Sequence, residues 1–249
     1  MELKIFSWNM YCHNRNFKGA LKFLESIEAD VMCLQEVPTA IAREMKKKRE
    51  WYVTEAKARH RGRKRLKTRN VIVSKYPVKE KGGDAFADEK KRAIKSRMSG
   101  LCGPLDFQYI DIKVGRRKVR VFNSHLECNT SPRMRVEQFK QVLDLSHKSS
   151  ANIYCGDLNT YGQWYLNIFV GYFSNYKLSD VKDSEKKLFS KLFKEYKLHN
   201  VFHKHVTYPL FRLQLDHILI PDTMNVLQKN VYNERYGSDH RPICVEVEV

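Results

Sequence analysis

The chain predicts an α/β fold, and three observations carry that reading. It opens as strand, helix, strand. Most of its later apolar runs read as further strands. Polar residues fall at the ends of these runs, where sites in such sheets collect. Leu3 to Trp8 is the first strand, ending on Asn9. Phe17, Leu21, Leu24 and Ile27 recur at helical spacing. Val31 to Glu36 is the second strand. Pro38 closes it, and Thr39 is placed to cap a charged helix through Glu50.

At 249 residues the chain can bury a sizeable core. It shows no internal repeat, low-complexity linker or dividing boundary, so one domain over 1–249 is expected. Hydrophobic residues at 42% and charged residues at 30% are ordinary for a soluble globular protein. The net charge of +18 is not. Such a field attracts polyanions, nucleic acid first and an anionic membrane surface second; the plainer alternative is that excess lysine keeps the protein soluble. Six cysteines (12, 33, 102, 128, 155 and 244) show no paired spacing and no Cys-x-x-Cys, so neither a zinc site nor a disulfide framework is indicated. The thiols suit a reducing compartment. The N-terminus lacks a secretory pattern, and no apolar run approaches a membrane span. An intracellular protein, cytoplasmic or nuclear, is expected, acting as a monomer.

Between Arg43 and Arg69 stand thirteen Lys or Arg and three Glu, so over half of the net charge lies there. The densest part, Arg59 to Arg69, has no apolar periodicity and reads as a loop leading into a strand at Val71 to Ser74. Arg61, Arg63, Lys64 and Arg65 are its candidate phosphate-backbone contacts. A solvated surface loop or a localisation signal is the alternative.

Ala93 to Leu101, Phe107 to Val114 and Lys118 to Leu126 read as successive strands, with Gly115 at the last hairpin. A helix is expected from Arg133 to His147, with Met134, Phe139, Val142 and Leu145 inside. Asp183 is placed to cap another through Lys197, with Leu188, Leu192 and Tyr196 on one face. Leu215 to Ile220 is a strand, and the closing run of alternating Val and Glu suggests an edge or half-exposed one.

The stretch Ile153-Tyr-Cys-Gly-Asp-Leu-Asn159 is the one around which the chemistry gathers. An apolar strand runs into a glycine and presents Asp157 and Asn159, two apart and so aimed the same way if the strand persists. A carboxylate can orient or deprotonate water, and an amide can donate to a phosphoryl oxygen that gains charge. Taken alone, an Asx-rich turn explains it as well. Five such sites shift the balance: Asn9, Glu36, His125, Asp157 with Asn159, and Asp216 with Asp239-His240. They supply hard oxygen ligands for Mg2+ or Mn2+, two imidazoles, and an acid to orient one of them. That inventory suits metal-assisted phosphodiester hydrolysis. The separate alternatives are a core histidine at 125, a buried Asp216 paired with Arg212, and a turn at 239–240.

An ordered set of segments resembles the endonuclease/exonuclease/phosphatase superfamily, the DNase I-like fold. The segments are Ser7-Trp8-Asn9, Asp30 to Glu36, Arg69 to Pro77, Ser124 to Glu127, Gly156 to Asn159, Leu215 to Ile218 and Gly237 to Ile243. The resemblance implies a four-layer α/β sandwich, two mixed β-sheets packed face to face with helices outside. It implies metal binding by Glu36 with Asn9 close by and Asp239 contributing, and activation of the nucleophile by Asp157. Asn159 and His125 would hold the phosphate. His240, paired with Asp216, would serve acid–base or phosphate-stabilising chemistry.

Ser124-His-Leu-Glu127 departs from the Tyr-x-Pro-Asn of apurinic endonucleases. Gln214-Leu-Asp-His217 departs from the Trp-Cys-Asp-Arg of inositol 5-phosphatases. With Arg133, Arg135 and Gln138 following, the segment is similar to the tyrosyl-DNA 5′-phosphodiesterase pattern, and Arg133 is a candidate substrate contact. A Mg2+-dependent nuclease or phosphodiesterase acting on nucleic acid, DNA before RNA, is the expected activity. The rivals are a phosphatase or phospholipase on inositol phosphates or lipid head groups, and a non-catalytic nucleic-acid-binding module.

Overall fold

The computed structural model describes residues 1–56, 68–86, 106–148, 150–162, 166 and 184–249. The opening is strand β1 (Glu2–Asn9), helix α1 (Phe17–Ser26), strand β2 (Val31–Pro38) and helix α2 (Thr39–Lys46). There follow β3 (Tyr52–Glu55), β4 (Thr68–Ser74), β5 (Glu80–Ala85), β6 (Asp106–Val114) and β7 (Arg117–His125). Next come α3 (Pro132–Leu143), β8 (Ala151–Asp157), α4 (Glu185–Glu195) and β9 (Leu198–Asn200). β10 (Asp216–Pro221), β11 (Val226–Val231) and β12 (Ile243–Glu248) close the chain.

These strands form two mixed six-stranded sheets, ordered β11-β12-β1-β2-β4-β3 and β5-β6-β7-β8-β10-β9. Each sheet holds one parallel pair at its centre, β1 with β2 and β7 with β8, and antiparallel partners outside. The pairs are parallel because a helix carries the chain back across the sheet between them.

Alternation along the strands explains the layers. On β1, Leu3 and Ile5 face one way and join Val121, Ile153 and Ile218 of the other sheet in one buried cluster. Phe6 and Trp8 face the other way and pack on Ala20, Phe23 and Leu24 of α1 and Ile41 and Met45 of α2. The second sheet mirrors this: Phe122, Tyr154 and Leu219 pack under Phe139 of α3 and Phe189 and Leu192 of α4. The result is helix, sheet, sheet, helix, the expected four-layer sandwich. Both faces of each central strand are buried, which is why the sequence shows continuous apolar runs there.

Several expectations change in detail. The buried stripe of α1 is Ala20, Phe23 and Leu24, with Phe17 40% exposed on the first turn. α2 stops at Lys46, and its N-cap position is Pro38, which makes Thr39 the first helical residue and not the cap. α3 ends at Leu143, leaving Leu145 exposed, and is capped by Ser131, whose Oγ accepts from the Met134 N–H. On α4 the buried apolar residues are Phe189, Leu192 and Phe193, while Tyr196, just past its end, turns outward. β12 is an interior strand between β11 and β1. Its outer neighbour β11 is almost wholly exposed, so no apolar alternation announces it. The basic loop residues Arg61, Arg63, Lys64 and Arg65, the strand expected at 93–101, and Asp183 lie outside the described residues. The five described cysteines are free thiols.

Candidate active site

The inward stripes that build the core between the sheets end in polar residues at one rim. On β7 the inward series Val119, Val121, Asn123 reaches His125; on β8 Ile153 and Cys155 lead to Asp157; on β10 Ile218 and Ile220 lead back to Asp216. Register brings these ends together. His125 pairs with Asp157 across the parallel ladder, and Asp157 pairs with Asp216 across the antiparallel one. From the facing sheet, Asn9 ends the inward series of β1, and its Nδ2 donates to Asp157 Oδ2 at 2.9 Å.

Glu36 breaks the alternation. On β2, Leu34 faces Val71 and Val37 faces Arg69, so Gln35 and Glu36 together oppose the single residue Asn70. This bulge puts Glu36 at φ +51°, a left-handed conformation costly for a non-glycine residue, and re-aims its side chain. Its Oε1 stands 3.7 Å from His125 Nε2, and its Oε2 accepts from the Cys12 N–H at 2.7 Å. Asn159 also sits at positive φ, donating its backbone N–H to Asp157 Oδ1 at 2.9 Å and its Nδ2 to Leu126 O. Gly156 permits the approach of β8 to β7. It holds φ +138°, and a Cβ there would fall 1.9 Å from Ser124 O.

His240 arrives on the loop before β12. Its Nδ1 lies 2.8 Å from Asp216 Oδ2, its Nε2 3.9 Å from Asp157 Oδ2, and the Tyr208 ring packs 5.0 Å from its own. Asp216 is therefore paired with His240, not with Arg212. Two residues that the sequence did not single out hold this pair. Ser238 Oγ donates to Asn9 O and accepts from the His240 N–H, tying the His240 loop to the end of β1. Thr207 Oγ1 accepts from the N–H groups of both Leu215 and Asp216. Ser238 stood inside a matching segment; Thr207 had no local signal.

Burial sets the electrostatics. It pushes Glu36 up to about 7, against the opposing Cys12 N–H and His240 charge. Burial, reinforced by the Asp216 charge, likewise pushes Asp157 up to about 7. Burial opposes the imidazolium of His240, but Asp216 and Asp157 outweigh it and hold its pKa at about 10. The site thus concentrates carboxylates that lack sufficient positive charge.

The donor set fits a hard divalent cation. Ligating atoms of Asp157, Asp216 and His240 lie within 4.8 Å of one another. A protonated His240 cannot ligate, however, and the oxygens remain: Glu36, Asn9 Oδ1 and Asp239, whose Oδ1 is buried without a hydrogen bond among the described residues. Arg133 stands exposed on the first turn of α3. It is Arg135, two residues on, that is fully buried.

Fold and site together define an α/β sandwich of the phosphoester-hydrolysing kind. The profile of the Endonuclease/Exonuclease/phosphatase family matches residues 6–240, and the chain belongs to that family. Its structure is similar to an endonuclease/exonuclease/phosphatase from Beutenbergia cavernae, with TM-score 0.70 and 17% identity over 100% of this chain and 72% of that one. It is similar to a Leptotrichia buccalis family member at TM-score 0.71 and 14% identity, covering 99% of this chain and 100% of the other. A third similar structure is D. rerio TDP2 complexed with single strand DNA product, at TM-score 0.68 and 15% identity, covering 100% of this chain and 99% of that one. No curated protein sequence matches significantly.

Proposed function

We propose that the chain is a divalent-cation-dependent phosphodiesterase that hydrolyses nucleic acid, DNA before RNA. The observation that carries the reading is the convergence of Asn9, Glu36, His125, Asp157, Asn159, Asp216 and His240 from both sheets on one rim. The +18 charge and the DNA-bound state of the D. rerio relative favour a nucleic-acid substrate.

Asp157, pushed up to about 7 and fixed by Asn9 and Asn159, is poised to take a proton from water near neutral pH. The water oxygen then bonds to phosphorus as the bond to the leaving oxygen breaks. His240, oriented by Asp216, donates from Nε2 to the oxygen that gains charge. His125 and the second Nδ2 hydrogen of Asn159 hold the other phosphoryl oxygens. Glu36, Asn9 and Asp239 would hold Mg2+ or Mn2+, which supplies charge neutralisation at the phosphate.

Asp157→Asn should lower kcat on DNA by about 10²–10⁴-fold with the circular dichroism spectrum unchanged. A variant of full activity would remove Asp157 from the mechanism and, with it, the assignment.

A further inference from the structure

Behind the catalytic rim, on the outer face of β10, lies a second feature that the mechanism leaves unused. A cavity of about 740 Å³ opens between α4, β9 and the segment before β10. Phe189, Phe193 and Leu213 give it an apolar floor. Lys186, Lys194, Lys197, Lys204 and Arg212 line it, against one carboxylate, Asp222. None of the five cations has an ion-pair partner among the described residues. Its wall runs to the catalytic strands: Thr160 follows Asn159, and His217 follows Asp216 on the opposite face of β10.

Three of the cations carry a further signal. Lys197, Lys204 and Arg212 hold φ of +51°, +68° and +55°. Glycine occupies that region freely, and longer side chains do so at a cost. At three turns where backbone geometry alone favours glycine, the chain instead places a cation on the same cavity. We infer that this cavity is a nucleotide subsite. It takes a nucleotide of the bound strand flanking the scissile phosphate, base against the two phenylalanines and phosphate against the cationic rim. The inference rests on the nucleic-acid reading above.

The test uses the full chain with chelator present, so that nothing is cleaved. Binding of a short fluorescein-labelled single-stranded DNA is followed by anisotropy across a salt series. The variant combines Lys197→Gly, Lys204→Gly and Arg212→Gly, which removes charge while relaxing the backbone. A control combines Lys18→Gln, Lys22→Gln and Lys113→Gln on exposed surface elsewhere. The expected result is a Kd about tenfold weaker and a salt slope shallower by about 2 in the glycine variant, with the control near wild type. With metal restored, KM for DNA should rise while turnover of bis(4-nitrophenyl) phosphate and the thermal midpoint hold.

A wild-type Kd and slope in the glycine variant would overturn the subsite. So would an equal effect of the control, or a matching loss on the small ester. If wild type hydrolyses the small ester yet binds no DNA, the nucleic-acid reading fails and the subsite with it. Wild-type DNA binding that the glycine variant leaves intact overturns the subsite alone.

Discussion

Asp157 and His217 stand one register step apart and show how a side chain's direction sets its chemistry. Asp157 faces the rim between the sheets, pressed against a second carboxylate. His217, paired by register with Gly156, faces the helix side. There its Nε2 lies 2.9 Å from Thr160 Oγ1 and its Nδ1 3.3 Å from Gln214 Nε2. Since an amide nitrogen can only donate, Nδ1 is the acceptor and Nε2 carries the proton, an assignment made from the network. Burial pushes His217 down to about 4 against the opposing Asp216 charge. Above pH 6.5 neither folded nor unfolded chain protonates this ring, so it adds no pH dependence. Between 6.5 and about 4 the unfolded chain takes up a proton that the folded one refuses, and stability falls as pH falls. The loss attributable to His217 should total about 3 kcal/mol. Urea unfolding at pH 7 and pH 4 should show this drop in wild type and a drop smaller by that amount in His217→Gln. Parallel pH profiles in the two proteins would contradict the assignment.

At the scale of elements, α3 and α4 are joined by a buried ion pair, Arg135 with Glu185, both side chains fully buried. Arg135 Nη1 also donates to Cys128 O and Thr130 O, in the loop just after His125. Glu185 Oε2 accepts from the Tyr161 N–H, just after Asn159. The pair therefore fixes both loops that leave β7 and β8 at the candidate site. Arg135→Met should cost about 3–5 kcal/mol, because it strands Glu185 in the core. The double variant Arg135→Met/Glu185→Leu should recover part of that loss. Denaturant unfolding of the four proteins measures it; strictly additive losses would mean that the two residues act separately.

The same scale shows what the sequence could reveal. Asn9, Glu36, His125, Asp157 and Asp216 were readable because each lies at one end of a short apolar run, within two or three residues of it. The bulge at Glu36 was not, since it depends on register against Asn70 in another strand. Arg135 stood out only as part of a local pattern; its partner lies fifty residues away. β11 escaped because an exposed strand carries no apolar alternation.

Across the whole molecule, one architectural repeat explains the site. Each sheet centres on a parallel pair bridged by a helix, and the polar ends of both pairs meet at one rim. Asn9 and Glu36 come from one sheet, His125 and Asp157 from the other. The chain as a whole carries +18, which draws a polyanion towards the molecule, whereas the rim gathers buried carboxylates that disfavour one unless a cation offsets them. The order and identity of the rim residues were legible from the sequence, because they fall in continuous segments. The cavity behind β10 was not. Its lining is scattered from Thr160 to Asp222 and assembles only when α4 packs on the sheet.

The central claim, a cation-dependent hydrolase of nucleic-acid phosphodiesters, is tested most directly by one substrate panel. Purified protein is offered supercoiled plasmid, single-stranded DNA, RNA, a 5′-tyrosyl oligonucleotide and an inositol phosphate, each with Mg2+ and with chelator. Cleavage of a nucleic acid that requires Mg2+ and stops with chelator is the predicted result. Turnover of the inositol phosphate alone, or cleavage indifferent to chelator, would contradict it.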